Sequence, residues 1–444
     1  MGTILASMTQ TDTLAERLAR LIRIPTVSAP GQRDEAVFEK FRDLLAELYP
    51  LTHERLEHEL VAGGSMLFRW RGGQPGPATL LMAHYDVVPV NGQHWSREPF
   101  GGEIDDGAVH GRGAFDDKAT LLAILEAVES LLAEGFTPTG DVYLSFGDDE
   151  EIGGPHAAEV ADVLEQRGIR PSVVIDEGGA VFSDMFPLVS GELALVGVTE
   201  KGVVNVRLTA RNPGGHASAP PKNGATAQLA RAIIAVERDP FPPRSNPVVV
   251  EMVKTLATRM PGWLAPVVSS RIAEPLVARV LNRLGGVASA LAHTTVAVTM
   301  LSGSSAPNVL ANEASATLNI RIAPGETVAS TRARLERTLR GSGVEIESLV
   351  GCDPAPISST GGASFARMRA ALAKSHPRAL PVPYVMVQSS DSRHFAKISD
   401  NIYRFMPFKI SAGQLAAIHG ADESLDVSAL RAGVQFYRQF IAGA

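Results

Sequence analysis

Apolar and polar positions along the 444-residue chain repeat with two periods, and the switches between them lay out the elements. Near the start Leu14, Leu18, Leu21 and Ile22 recur at helical spacing and predict an amphipathic helix from Thr11 to Ile24. A second helix is expected from Asp34 to Leu48, then a short strand from Met66 to Arg71. ATLLMAHYDVVPV (78–90) follows, an almost wholly apolar run that ends in polar groups. Continuous apolar strands between helices predict a parallel sheet covered on both faces. The pattern then repeats: a helix at Ala119–Glu134, the strand DVYLSFG (141–147), a helix at His156–Arg167 and the strand PSVVIDEGG (171–179).

The character changes near Glu200. KGVVNVRLTARNPGGHASAPP (201–221) reads as an alternating strand entering a Gly/Pro turn, followed by a helix at Ala225–Arg238. Residues 239–293 are Pro-punctuated and partly helical, with an apolar face of Trp263, Leu264, Val267, Val268, Leu276, Val280 and Leu284. Two alternating strands come next, TTVAVTMLSG (294–303) and SATLNIRIAPG (315–325), and then the helix VASTRARLERTLRGS (328–342). This order suits a small α+β domain with one layer of helices on an antiparallel sheet. From Pro354 the α/β pattern returns, with a helix at Ser364–Ser375, a strand at Pro383–Val387, the strand NIYRFMPF (401–408) and a helix at Val427–Ile441. The expected organisation is an α/β domain formed by residues 1–199 and 354–444, interrupted by an α+β domain at 200–353.

Composition narrows the function classes. A formal net charge of −7 with no basic run argues against nucleic acid as a partner. The single cysteine, Cys352, excludes an intrachain disulfide framework and suits a reducing compartment. It also excludes Cys-rich zinc sites, so any metal must be held by His, Asp and Glu. The N-terminal stretch has no charged leader followed by an apolar run, and no stretch reaches 18 uninterrupted apolar residues. The expectation is a cytoplasmic protein without a membrane partner, its residues 1–10 forming a disordered tail.

The chemistry gathers at strand ends. Three successive strands finish in His84/Asp86, Glu150/Glu151 and Asp176/Glu177, and a glycine-punctuated turn delivers Asp116 and Asp117 just before a helix. Sites in parallel sheets form beyond the carboxyl ends of the strands. A lone acid there is usually a helix cap, and a lone histidine is as often a buried, hydrogen-bonded core residue. Repetition at three ends points instead to metal. Two cations about 3.5–4 Å apart need one ligand that touches both, and Asp116 is the candidate. Histidines (His84, His419) with carboxylates suit zinc, whereas all-oxygen ligation would favour magnesium or calcium. Asp86, two residues beyond His84, can tie down the second ring nitrogen. Of the adjacent Glu150 and Glu151, one can bind metal while the other takes a proton from water; the bland alternative is a charged loop, since Asp148 and Asp149 stand beside them.

HYDVVP (84–89), GRGAFDDK (111–118), DEEIGG (149–154), IDEGG (175–179), GGHASAP (214–220), SSDSRHF (389–395) and HGADES (419–424) together resemble the M20 metallopeptidases and aminoacylases, in particular the carboxypeptidase S-like and N-acyl-amino-acid hydrolase branch. The resemblance implies a zinc-exopeptidase-like α/β/α catalytic domain with an inserted α+β lid, and a possible homodimer through that lid. It implies two zinc ions, with cobalt or manganese as substitutes. His84, Asp116 and Asp176 would hold one; Asp116, Glu151 and His419 the other. Glu150 would be the general base and Asp86 the orienting acid. Asp176 is taken over Glu177 because DEGG looks most like the carboxypeptidase S-like branch. His216 matches the histidine that stabilises the oxyanion, and Asn308 and Arg321 match positions that grip the substrate's carboxylate. Arginine suits that task through its planar fork, although Arg321 could equally be a strand-surface residue.

The implied reaction is hydrolysis of an amide bond at the C-terminal amino acid of a small peptide. The rival readings are an aminoacylase-type enzyme acting on N-acyl amino acids, a metal-free binding module and a purely structural acid-rich protein.

Overall fold

The computed structural model describes residues 14–186, 188–270 and 274–443. The expected tail at 1–10 lies outside the described residues, as does the start of the first helix, which is seen over 14–22.

An eight-stranded sheet forms the centre, in the order Glu57–Val61, Ser65–Trp70, Val142–Gly147, Ala78–His84, Pro171–Ser183, Ile402–Lys409, Glu192–Glu200 and Leu380–Met386. Its middle is parallel, as the apolar runs predict: Ala78–His84 lies parallel to Val142–Gly147 on one side and to Pro171–Ser183 on the other. The whole sheet is mixed, however, because Ser65–Trp70 pairs antiparallel with both of its neighbours. The outermost strand, EHELV, exposes four of its five residues, so it carries no apolar signature to read.

Side-chain alternation explains the three layers. Along Ala78–His84, Leu81 and Ala83 enter one core while Leu80 and Met82 enter the other. On the first face lie helices Lys118–Ala133, Ala363–Ser375 and Val427–Ala442, whose apolar residues join the larger core. The second face is covered by helix His156–Gln166, through Ala157, Val160, Ala161 and Leu164, and by the turn Asp391–Lys397, through Phe395.

A second, four-stranded antiparallel sheet runs Thr295–Ser302, Glu313–Ile322, Gly202–Arg211 and Glu345–Cys352. Glu313–Ile322 alternates strictly: Ala314, Ala316, Leu318, Ile320 and Ile322 pack under helices Ala225–Arg238 and Val328–Thr338, while Arg321 lies on the other face. The chain enters and leaves this sheet side by side. A Cβ on Gly202 would come within 2.6 Å of the Cys352 carbonyl oxygen and 2.7 Å of the Pro354 nitrogen, so the crossing needs glycine.

Residues 239–293 divide differently from the sequence pattern. Helix Pro247–Ala257 packs on strand Leu380–Met386 of the large sheet and sends Val248, Val249, Met252 and Leu256 into the larger core. The apolar face expected further on is mostly outward: Trp263 is 75% exposed and Leu284 68%. No helix among the described residues is long and apolar enough to cross a membrane.

Candidate metal centre

The parallel strands end together, and their last residues build the site. His84 is the final residue of Ala78–His84, aligned with Gly147 at the end of its neighbour. Its Nδ1 is held twice by Asp86, at 3.0 Å from the backbone oxygen and 3.2 Å from the carboxylate. That fixes the ring and aims Nε2 at Asp116 Oδ1, 3.1 Å away, and at Glu177 Oε2, 3.6 Å away. Asp86 does a second task. Its two oxygens accept the backbone N–H groups of Glu150 and Glu151 at 3.3 and 3.1 Å, so one buried carboxylate sets both the imidazole and the acidic turn.

Asp116 has one oxygen in each of two triads. Oδ1 faces His84, and Oδ2 lies 3.0 Å from His419 Nε2, which in turn lies 3.1 Å from Glu151 Oε2. His84, Asp116 and Glu177 form the first group whose ligand atoms converge, and Asp116, Glu151 and His419 the second. Of the expected ligands, the structure thus brings together His84, Asp116, Glu151 and His419.

Asp176 is the exception. Its Oδ2 accepts the Ser392 N–H at 2.8 Å, and Glu177 takes the place facing His84. Asp176 remains beside the cluster, close enough for its charge to act on Glu177 and Asp391, while the atom that converges with His84 and Asp116 belongs to Glu177.

The electrostatics are those of a cation site. Burial raises Glu150 well above the usual carboxylate range, and the charges of Glu177, Asp391 and Glu151 add to it. Burial likewise pushes Glu177 up to about 8, with Asp116 and Asp176 contributing. Desolvation would raise Asp116 too, but its bonds to His419 and His84 hold it low. Burial opposes charge on His84, yet the Glu177 carboxylate and the bonds from Asp116 and Asp86 raise it well above its ordinary value. So many acids around two imidazoles in a poorly screening interior oppose one another's ionisation, and a bound cation would relieve that cost. Glu151 Oε1 is moreover buried with no hydrogen-bond partner. The donor set, two imidazoles with carboxylates, fits divalent cations of the zinc class.

A further group, Asp148, Asp149 and His156, has the same composition but a different use. Asp148 already accepts from Arg33 Nη2 at 2.6 Å, Ser65 Oγ at 2.8 Å and His156 Nδ1 at 2.8 Å, which makes it a scaffold beneath the Glu150–Glu151 turn.

The expected substrate-side residues lie in the inserted segment, Arg321 on its four-stranded sheet and the other two beside it. His216 pairs with Val309 in a two-stranded ribbon, and the Asn308 carbonyl accepts the Ala217 N–H at 3.1 Å, so His216 and Asn308 share one exposed loop region. Arg321 instead spans the seam: its Nη1 donates to Ser389 Oγ at 3.2 Å, beside the buried Ser390 and Asp391 of the large domain. Within one chain the structure therefore brings Arg321 to the seam, and shows no contact of His216 or Asn308 with the two triads among the described residues.

Sequence reasoning missed four buried charges. Asp117, joined to Asp116 by a cis peptide, accepts the His84 N–H at 3.2 Å. Asp391 is raised by burial and by the Asp176 charge. Arg112 and Glu423 form an ion pair of 2.8 Å with both side chains 1% exposed. All four were inside quoted motifs, Asp117 named there without a role, which was the available signal.

Strand-end acids, paired triads and an α/β/α frame define a metal-dependent hydrolase. Residues 80–443 match peptidase family M20/M25/M40, and the chain belongs to that family. It is 33% identical over 441 residues to probable carboxypeptidase S-like 2 of Dictyostelium discoideum, covering 96% of this chain and 84% of the relative. It is 32% identical over 440 residues to the Homo sapiens N-fatty-acyl-amino acid synthase/hydrolase PM20D1, covering 97% and 88%. Among solved structures, the M20 family metallo-carboxypeptidase Sso-CP2 from Sulfolobus solfataricus superposes with a TM-score of 0.71 at 18% identity, covering 96% of this chain and 97% of that one. Human carnosine dipeptidase 1 gives 0.70 at 14% identity, covering 98% and 96%. At such identities the superpositions speak for the fold.

Proposed function

We propose that this protein is a two-cation amidohydrolase that releases a C-terminal amino acid from a small peptide. The observation that carries the reading is the division of Asp116, one oxygen to each triad. His84, Asp116 and Glu177 would hold one zinc ion, and Asp116, Glu151 and His419 the other. Bound cations would polarise the amide carbonyl and acidify a water. Glu150 is the carboxylate left over. Set by Asp86 and raised by burial, it is suited to take the proton from the attacking water and return it to the leaving nitrogen. Arg321, at the seam, would anchor the substrate's carboxylate with its fork. His216 would steady the developing oxyanion; its exposed position means that closure of the smaller domain, or a second copy of the chain, has to bring it in.

Hydrolysis of N-acyl amino acids is the second reading, with the same chemistry and a different acyl group. The relatives named N-fatty-acyl-amino acid synthase/hydrolase favour it. Zinc-loaded protein assayed on dipeptides and N-acyl amino acids decides between the two. Glu150→Ala should lower turnover by about 10²–10⁴-fold on either substrate, with metal content unchanged; substantial residual activity would remove Glu150 from its role.

A further inference from the structure

His419 sits less securely than its partners. Its side chain is 54% exposed, and its backbone is left-handed, at φ 57°, which a non-glycine residue holds only when its surroundings insist. What insists is a buried acid that the mechanism does not use. Glu423 Oε1 accepts the N–H groups of Phe115 and Asp116 at 2.8 and 3.0 Å, and its Oε2 accepts Gly113 N–H at 3.2 Å and Arg112 Nη1 at 2.8 Å. Arg112 Nη2 then donates to the Gly420 carbonyl and to Gln93 Oε1, both at 2.9 Å, and Gln93 Nε2 donates to the His419 carbonyl at 2.8 Å. The chain of bonds closes a ring from the Asp116 backbone to the His419 backbone, between segments about 300 residues apart in sequence.

A buried ion pair is a poor device for adding stability, since desolvation of both charges offsets their attraction. It is a good one for fixing geometry. The first triad has no such need, because strands and Asp86 already place His84 and Glu177. We propose that Glu423, through Arg112 and Gln93, is a positioning residue that holds His419 at its distance from Asp116, and thereby sets the affinity of the second cation without setting that of the first. The inference rests on the two-cation reading above.

The test is a zinc titration of dialysed full-length protein against a chromophoric chelator, with cobalt absorption as a second readout. Wild type should take up two ions. Glu423→Gln should bind the first within about threefold of wild type and the second about 10–100-fold more weakly, with an altered cobalt spectrum. Gln93→Ala leaves the Arg112–Glu423 pair and its bonds to the Asp116 segment in place and removes the bond to His419 together with those Gln93 accepts from Arg112 and Trp95, so it should loosen the second ion alone, by several-fold; it decides the matter if Glu423→Gln fails to fold. Equal weakening of both ions, or none in either variant, would overturn the proposal while leaving the metal reading in place. Wild type that takes up no cation would overturn the metal reading itself, and the clamp with it.

Discussion

The two triads that share Asp116 are built by opposite means. His84 ends one central strand and Glu177 lies within the next, and both are nearly excluded from solvent with their directions set by the sheet. Glu151 sits on a single 3-10 turn and His419 on a loop, so their directions are set by hydrogen bonds from elsewhere. Regular structure supplies one half of the site almost without cost. The other half needs tethers, Asp86 under the turn and Glu423 under the loop. The difference predicts that damage to the first triad is global, whereas damage to the second stays local.

The largest effect belongs to the shared residue. Asp116→Ala should leave dialysed protein with neither cation, against about two per chain in wild type; elemental analysis that still finds one ion would show that the triads do not depend on it jointly. Next comes the pair of histidines. His84→Ala strands buried carboxylates and should lower the stability of the ion-free protein by about 3 kcal/mol, whereas His419→Ala should change it by no more than about 0.5 kcal/mol. Urea melts of both variants measure this, and equal losses would erase the distinction. A finer contrast lies within one strand. Glu177→Gln should weaken the first ion by at least about tenfold and Asp176→Asn by less, if Glu177 is the ligand and Asp176 acts from behind it; the reverse order would make Asp176 the ligand.

The smallest effect lies away from both triads. Burial depresses His376 and His394 to about 4, below the ordinary value near 6.5. Between those values the unfolded chain binds more protons than the folded one, so stability is complete above pH 6.5 and falls as pH drops towards 4. His376→Gln should flatten that slope in urea melts at successive pH values; an unchanged slope would exclude His376 as a contributor.

Much of the frame was legible in the chain. ATLLMAH and DVYLSFG could only be buried strands, and helix Ala225–Arg238 was bounded correctly from periodicity alone. Strand Glu192–Glu200 was overlooked because it lies against the apparent domain switch at Glu200. Helix Pro247–Ala257 packs on a strand more than a hundred residues away, a contact that local periodicity cannot show. At the site, the residue types were readable and their directions were not. Asp176 and Glu177 differ by one step of a strand, and which of them faces His84 depends on where the ladder bends, around Gly178 at φ 141°. Arg112 and Glu423, in glycine-rich loops, look like solvated charges until the fold buries them against each other.

Anomalous diffraction from zinc-soaked crystals tests the central claim most directly. The account predicts two peaks about 3.5–4 Å apart, one on each side of the Asp116 carboxylate, with Glu150 touching neither. A single peak, or a pair that does not share Asp116, would contradict it.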